Sequence, residues 1–166
     1  LICTHWAAKN PEGLQGLILS APFYQLAFEP PKIKVLGAKI ARMIFPGFGI
    51  PTEITSVQLS RDEAWQKETD ADPLYVRVVT PRWFFLCQDA QSHLSGLGAK
   101  VTIPTLMLAG TDDAIASMAA ARAFFETIGA TDKTLCNYDG FRHEVLSEVG
   151  KEKVLADVTK WISAHC

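Results

Sequence analysis

Two apolar runs in the second half of the chain carry the clearest structural pattern. The first, Ile103–Ala109, ends in Gly-Thr-Asp-Asp, and the second, Thr134–Tyr138, ends in Asp-Gly-Phe-Arg-His-Glu. Between them, apolar residues recur at helical spacing from Met118 to Ile128, and Gly129 is expected to end that helix in left-handed geometry. Near-continuous apolar strands are typical of a sheet covered on both faces, so this region is predicted to form a parallel strand–helix–strand unit.

A third apolar run, Gly16–Ser20, lies between a helix end at Ile2–Ala8 and Pro22. From Pro22 to Lys100 strand alternation is absent, and helix signals and aromatic residues dominate. The pattern therefore predicts an α/β fold with a mostly parallel sheet flanked by helices and an inserted helical cap. Residues 1–22 are assigned to the end of an N-terminal core, 23–100 to the cap and 101–166 to a C-terminal core.

The predicted cap contains three helix signals. Lys32–Phe45 has apolar residues along one side and basic residues elsewhere, which indicates an amphipathic helix. A second helix is expected to open at Ser60 as N-cap, with Glu63 completing a capping box, and Pro81 starts a third. The segment Phe45–Pro51 mixes aromatic residues with glycine and proline, and it fits either a mobile apolar lid or a packed bend inside the cap.

The C-terminal region is predicted to be mainly structural. A helix is expected over Lys151–Ala164, and the apolar residues that it should bury are Val154, Leu155, Val158, Trp161 and Ile162. Upstream of it, Glu144 and Glu148 suit the positive end of a helix, and Arg142 is expected to face solvent.

Composition narrows the class of protein. The 166 residues are 48% apolar and 20% charged, as in a globular domain. A net charge of −2 does not favour nucleic acid as a partner, and no apolar run is long enough to cross a bilayer. The four cysteines lack metal-ligand spacing and indicate thiols in a reducing compartment. We therefore expect a cytoplasmic protein without metal or cofactor, with the cap as the surface for any peripheral contact with a membrane.

The candidate chemistry lies just past the two strands of the C-terminal unit. Asp113 follows the first strand and His143 follows the second, and side chains at the carboxyl ends of neighbouring parallel strands meet at one edge of the sheet. A serine hydroxyl needs a base with a pKa near ~6.5 to take its proton, and a buried carboxylate fixes the tautomer of that histidine. The pattern therefore predicts the acid and base of a serine hydrolase.

Each of these residues also has a structural interpretation. Asp113 could cap the following helix without any catalytic role, and Asp112 competes with it for the role of the acid. His143 alone could be a loop histidine bonded to the backbone. The two residues together, each directly after a strand, favour the acid–histidine pair.

Several segments along the chain carry a family resemblance. They are Gly16–Pro22, Leu59–Asp62, Asp70–Leu74, Pro104–Asp113 and Gly140–Glu148. Together they resemble the monoacylglycerol lipase and lysophospholipase group of α/β-hydrolases, the serine aminopeptidase S33 type. The resemblance implies the C-terminal portion of an α/β-hydrolase fold, with the family's acid on Asp113 and its base on His143. Ala116 departs from the pattern, since the family often has a second aspartate there.

The resemblance also implies a serine in a G-x-S-x-G elbow, which this sequence lacks. The first residues, Leu1–Ala7, resemble the helix that follows the elbow, so the serine is expected about four residues before Leu1. The oxyanion-hole donors would be missing with it. We therefore expect these residues alone to be inactive.

The resemblance implies a carboxylic ester hydrolase whose substrate is a small apolar ester or lipid, most directly a monoacylglycerol or a lysophospholipid. Phe45, Phe48 and Ile115 are the expected substrate-binding residues. Two alternatives remain open: a non-catalytic α/β-hydrolase-like module that binds an apolar ligand or a partner, and a peptidase or epoxide hydrolase on the same fold.

Overall fold

The computed structural model describes residues 1–165, which form seven α-helices and five strands. The helices are α1 (Ile2–Lys9), α2 (Lys32–Ile44), α3 (Ser56–Leu59), α4 (Glu63–Ala71), α5 (Pro81–Ser92), α6 (Met118–Thr127) and α7 (Lys151–His165). The strands are β1 (Leu17–Ser20), β2 (Ile50–Pro51), β3 (Val78–Val79), β4 (Thr105–Gly110) and β5 (Lys133–Tyr138).

The main sheet has three parallel strands in the order β1-β4-β5. The central strand β4 is buried along its whole length, which is why it reads as a continuous apolar run. Its last residue, Gly110, pairs with Tyr138 at the end of β5. Because the two strands end level with each other, the loops that follow them lie side by side. The predicted parallel strand–helix–strand unit is therefore present.

Helices cover both faces of the sheet. Successive side chains of β4 point to opposite faces, so Met107 packs with Phe124 of α6, while Leu106 and Leu108 pack with Trp161 of α7. These two apolar clusters form the core that fixes the strand ends. The site residues discussed below follow those ends.

Two details of these helices differ from the prediction. Leu155 and Ile162 of α7 are 47% and 41% exposed, because the stripe of α7 that faces the sheet is narrow and both residues lie beside it. Gly129 is not in left-handed geometry. A Cβ at this position would lie 2.4 Å from the carbonyl oxygen of Ala99, so glycine is needed for close backbone approach rather than for a helix cap.

Helices are the main regular structure between β1 and β4, as expected, with two corrections. A short antiparallel ribbon of β2 and β3 was not predicted, because two residues per strand show no periodicity. The N-cap of α4 is Asp62, whose carboxylate accepts hydrogen bonds from the N–H groups of Ala64 and Trp65. Ser60 instead donates its hydroxyl to the carbonyl of Ser147. The division of the chain at residues 22 and 100 stays a prediction.

Ala21, which directly follows β1, has an unusual backbone conformation. Its φ is 40°, in the left-handed region that disfavours a residue with a Cβ. Its N–H donates to the carbonyl of Leu108 on the neighbouring strand, at 2.9 Å. This bond and the ring of Pro22 set the direction in which the chain leaves the sheet.

Candidate active site

The carboxylate of Asp113 and the imidazole of His143 are in direct contact at the carboxyl edge of the sheet. Asp113 Oδ2 lies 2.8 Å from His143 Nδ1, and the two side chains are 4% and 19% exposed. Because an ionised carboxylate only accepts, His143 Nδ1–H is the donor. This orientation leaves Nε2 as the ring nitrogen able to take a proton from another group.

The second oxygen of Asp113 fixes the carboxylate in place. Oδ1 accepts the backbone N–H groups of Ile115 at 2.8 Å and Ala116 at 2.9 Å. The aspartate thus stabilises its own turn and contacts the histidine at the same time. It does not cap α6, because Ser117 is the N-cap and accepts from the N–H of Ala120. The helix-cap interpretation of Asp113 is therefore wrong.

Asp112 points elsewhere. Its side chain is exposed and accepts a long hydrogen bond, 3.4 Å, from the hydroxyl of Thr111. Of the two neighbouring carboxylates, Asp113 is the one in contact with the imidazole.

Opposing influences act on the pKa of His143. Burial of the ring lowers the pKa, whereas the hydrogen bond and the negative charge of Asp113, helped by the charge of Glu144, raise it. The raising influences win, so the pKa of His143 lies above its ordinary value. Such a shift favours an imidazolium held next to a carboxylate, which is the charged pair that forms when histidine removes a proton from an alcohol.

The loop between β5 and α7 that carries His143, residues 139–150 (the histidine loop), is held by the buried side chain of Glu148. This carboxylate is completely inaccessible to solvent and accepts the backbone N–H of Arg142, the residue before the histidine, at 3.0 Å. The side chain of Arg142 does not face solvent as predicted, since its guanidinium donates to the carbonyls of Val57 and Ser60. A pattern of apolar and polar residues gives no sign of this arrangement, because the partners are more than 80 residues apart.

The predicted substrate-binding residues are not brought together. Phe45 and Phe48 are 67% and 63% exposed, after the end of α2. Ile115 is buried, and its backbone supports Asp113 on one side while its carbonyl accepts the N–H of Ala27 on the other. A role in substrate binding stays a prediction for all three.

Two cavities lie near the carboxyl edge. A small one of about 10 Å³ is lined by Asp113 and Gly110, among others. A larger one of about 310 Å³ opens between the segment after β1 and helix α5. Its lining is part apolar and part polar and includes Phe23, Phe28, Phe84, Glu29 and Gln88. Ser117 lines both cavities, so the larger space adjoins the acid side of the site.

A glycine at the end of β4 allows the histidine loop to approach the acid. A Cβ on Gly110 would lie 2.3 Å from the carbonyl oxygen of Phe141 and 2.4 Å from that of Arg142. Only a residue without a side chain fits here. The one signal of this requirement that is visible in the sequence is a glycine three residues before the predicted acid.

A parallel sheet covered by helices, with an aspartate and a histidine in contact at its carboxyl edge, defines an α/β-hydrolase. The solved structure of a monoacylglycerol lipase from Paleococcus ferrophilus supports this fold, with a TM-score of 0.89 at 24% identity over 98% of this chain and 64% of that one. A family model described as serine aminopeptidase, S33, matches residues 1–150, and the chain belongs to this family. The predicted fold class and the family resemblance are confirmed.

Relatives with assigned functions extend the comparison. The chain is 29% identical to a monoacylglycerol lipase from Mycolicibacterium smegmatis, over 96% of this chain and 57% of the relative. It is 26% identical to phospholipase YtpA from Bacillus subtilis, over 93% of this chain and 60% of the relative. The chain thus spans somewhat more than half the length of these relatives.

Proposed function

We propose that the full-length protein containing this chain hydrolyses carboxylic esters by a serine–histidine–aspartate mechanism. The observation that carries the proposal is the 2.8 Å contact between Asp113 and His143, with the carboxylate anchored by two backbone N–H groups. In this mechanism His143 Nε2 takes the proton of a serine that precedes Leu1 in the chain. Asp113 holds the imidazole in the correct tautomer and stabilises its positive charge.

The proposed substrates are monoacylglycerols or lysophospholipids. Two relatives are named as a monoacylglycerol lipase and a phospholipase. Monoacylglycerols and lysophospholipids, the substrates proposed for this protein, are both lipid esters with a single acyl chain. The cavity of about 310 Å³ beside the site has a size in the range of small-molecule sites, and its mixed lining suits a molecule with an apolar chain and a polar group.

Phosphonate labelling and a panel of substrates test this proposal. The full-length protein should react with an alkyl fluorophosphonate at one serine located upstream of Leu1, and peptide mapping identifies that serine. It should release fatty acid from monoacylglycerol or lysophospholipid faster than it cleaves peptide or epoxide substrates. A protein that binds fatty acid but neither reacts with the phosphonate nor turns over any ester is a binding module instead.

We also propose that α2 makes a peripheral contact with anionic lipid. Five large apolar side chains of this helix are exposed: Ile33, Leu36, Ile40, Met43 and Ile44. The helix contains basic residues and no acidic ones. Arg42 lies over the ring of Phe85 in α5, at 5.4 Å. The half-buried residues of α2 are Val35, Ala38 and Ala41, so the exposed apolar stripe lies on the other side of the helix. No helix within residues 1–165 is long and apolar enough to cross a bilayer.

Substituting glutamate into this stripe should weaken binding to vesicles. Burying an apolar side chain contributes about 1.5–3 kcal/mol, so Ile40→Glu or Met43→Glu should reduce binding to phosphatidylglycerol vesicles by roughly tenfold or more. Added salt should weaken binding of the unsubstituted protein, because basic residues attract the anionic surface. Vesicle co-sedimentation measures both effects. Leu74, which is as exposed as Met43 but lies outside α2, supplies the control Leu74→Glu. Equal loss in that variant would exclude α2 as the contact.

A further inference from the structure

The buried carboxylate of Glu148 joins two parts of the chain that are far apart in sequence. Oε1 accepts the backbone N–H groups of Arg61 and Val149, each at 2.8 Å, and Oε2 accepts that of Arg142 at 3.0 Å. The guanidinium of Arg61 lies 3.2 Å from Oε1. Every bond to the carboxylate therefore comes either from the loop around His143 or from Arg61.

A buried carboxylate is costly unless its oxygens accept hydrogen bonds, and both oxygens of Glu148 do. Burial alone would raise the pKa of Glu148, but the N–H groups of Arg142, Val149 and Arg61, together with the charge of Arg61, hold that pKa below its ordinary value. Glu148 is thus ionised at neutral pH. An ionised carboxylate only accepts hydrogen bonds, which matches the donors that surround it.

Other bonds tie the same two parts together. Ser60 Oγ donates to the carbonyl of Ser147, and the N–H of Glu144 donates to the carbonyl of Leu59, each at 2.8 Å. The loop from Arg142 to Val149 is thus fastened to the segment 57–61, which belongs to the predicted cap. His143 sits within this loop, directly after the Arg142 N–H that Glu148 binds.

We infer that Glu148 is a positioning residue that holds the backbone at Arg142 so that the imidazole of His143 meets Asp113. Because Arg61 also binds this carboxylate, the position of segment 57–61 is coupled to the position of His143. The inference rests on the proposed function for its effect on hydrolysis, but its effect on His143 is independent of activity.

Glu148→Gln tests the inference with a minimal change of shape. If the amide oxygen takes the place of Oε1, the bonds from Arg61 and Val149 remain, and the amide NH₂ group then faces the N–H of Arg142. Two donors face each other at that point, so the loop is released next to the histidine. A displacement of about 1 Å at a reacting group costs about 10²-fold in rate.

Two readouts on the full-length protein separate positioning from mere stability. NMR titration should show the pKa of His143 lower in Glu148→Gln than in the unsubstituted protein, because the contact with Asp113 loosens while the ring stays buried and near Glu144. In ester hydrolysis, kcat should fall about tenfold to a hundredfold with KM nearly unchanged. Arg61→Lys keeps the backbone bond and the charge but loses the Nε donor, and it should shift both readouts in the same direction by less.

Asp157→Asn is the matched control. The carboxylate of Asp157, on α7, accepts the hydroxyl of Tyr138 at 2.9 Å, and no hydrogen bond within residues 1–165 joins it to the histidine loop. This variant should lower the melting temperature and leave the titration of His143 unchanged. The inference is overturned if Glu148→Gln titrates like the unsubstituted protein, or if Asp157→Asn shifts His143 as much. Should the protein cleave no ester at all, the proposed function fails while the titration still decides the role of Glu148.

Discussion

Replacing Asp113 by asparagine should lower kcat/KM for ester hydrolysis by the full-length protein by about 10⁴-fold, as expected when the acid of a serine–histidine–aspartate triad loses its charge. The structure explains why the amide cannot substitute. Both oxygens of Asp113 are in use, one by two backbone N–H groups and the other by His143 Nδ1–H. If the NH₂ group takes the place of Oδ1, it faces the two backbone N–H donors. If it takes the place of Oδ2, it faces His143 Nδ1–H, unless the imidazole changes to the tautomer that carries its proton on Nε2.

The dependence of kcat/KM on pH supplies a second signature. The reaction needs neutral imidazole, so kcat/KM should fall as pH drops through the pKa of His143. That pKa is raised despite burial, because of the bond and charge of Asp113 and the charge of Glu144. Asp113→Asn removes the main raising influence, so the acidic limb of its residual activity should move to lower pH.

The neighbouring carboxylate provides the control for this prediction. Asp112 is exposed, and within residues 1–165 the hydroxyl of Thr111 is the one hydrogen-bond partner of its carboxylate. Asp112→Asn changes the same charge one residue away and should leave kcat/KM and its pH profile unchanged. Equal activity in the two variants would contradict a role for Asp113 as the acid.

Gly110→Ala is expected to have the second largest effect. The added methyl group would lie 2.3 and 2.4 Å from two backbone carbonyl oxygens of the histidine loop, and backbone atoms cannot move aside as a flexible side chain can. The loop must therefore shift, and the contact between His143 and Asp113 is lost or lengthened. We expect kcat to fall about 10²-fold and the free energy of unfolding to drop by about 1–3 kcal/mol.

A second glycine with an equivalent clash separates the two effects. In Gly129→Ala the methyl group would lie 2.4 Å from the carbonyl oxygen of Ala99, after α6 and outside the histidine loop. Chemical denaturation should show a comparable loss of stability, while kcat remains close to that of the unsubstituted protein. If both alanine variants lose kcat in proportion to their stability, the effect of Gly110 is not specific to the histidine.

The parts of the fold that the sequence predicts are those with long, local patterns. The apolar runs of β4 and β5 and the helical spacing of α6 place Asp113 and His143 at one edge, and their contact follows from parallel pairing. The catalytic role of these two residues stays a prediction. The prediction that Leu155 and Ile162 of α7 are buried is wrong, because both are apolar residues that lie beside the buried stripe.

The support of the site could not be predicted, because it depends on contacts between distant residues. Glu148 and Arg61 are 87 residues apart, and the sequence places Glu148 only at the positive end of a helix. Ser60 looked like a helix cap because the capping pattern is local, yet its hydroxyl reaches Ser147 instead. Local rules therefore identify the candidate acid and base better than the scaffold that orients them.

The left-handed conformation of Ala21 has a consequence for how the region after β1 behaves. A residue with a Cβ costs roughly 1–2 kcal/mol in this conformation, and glycine would remove that cost. Glycine would also enlarge the range of directions open to the chain in both the folded and the unfolded state. The alanine thus lowers stability somewhat but restricts the backbone at this position. Any movement of the residues beyond Pro22 therefore requires changes in backbone angles further along the chain.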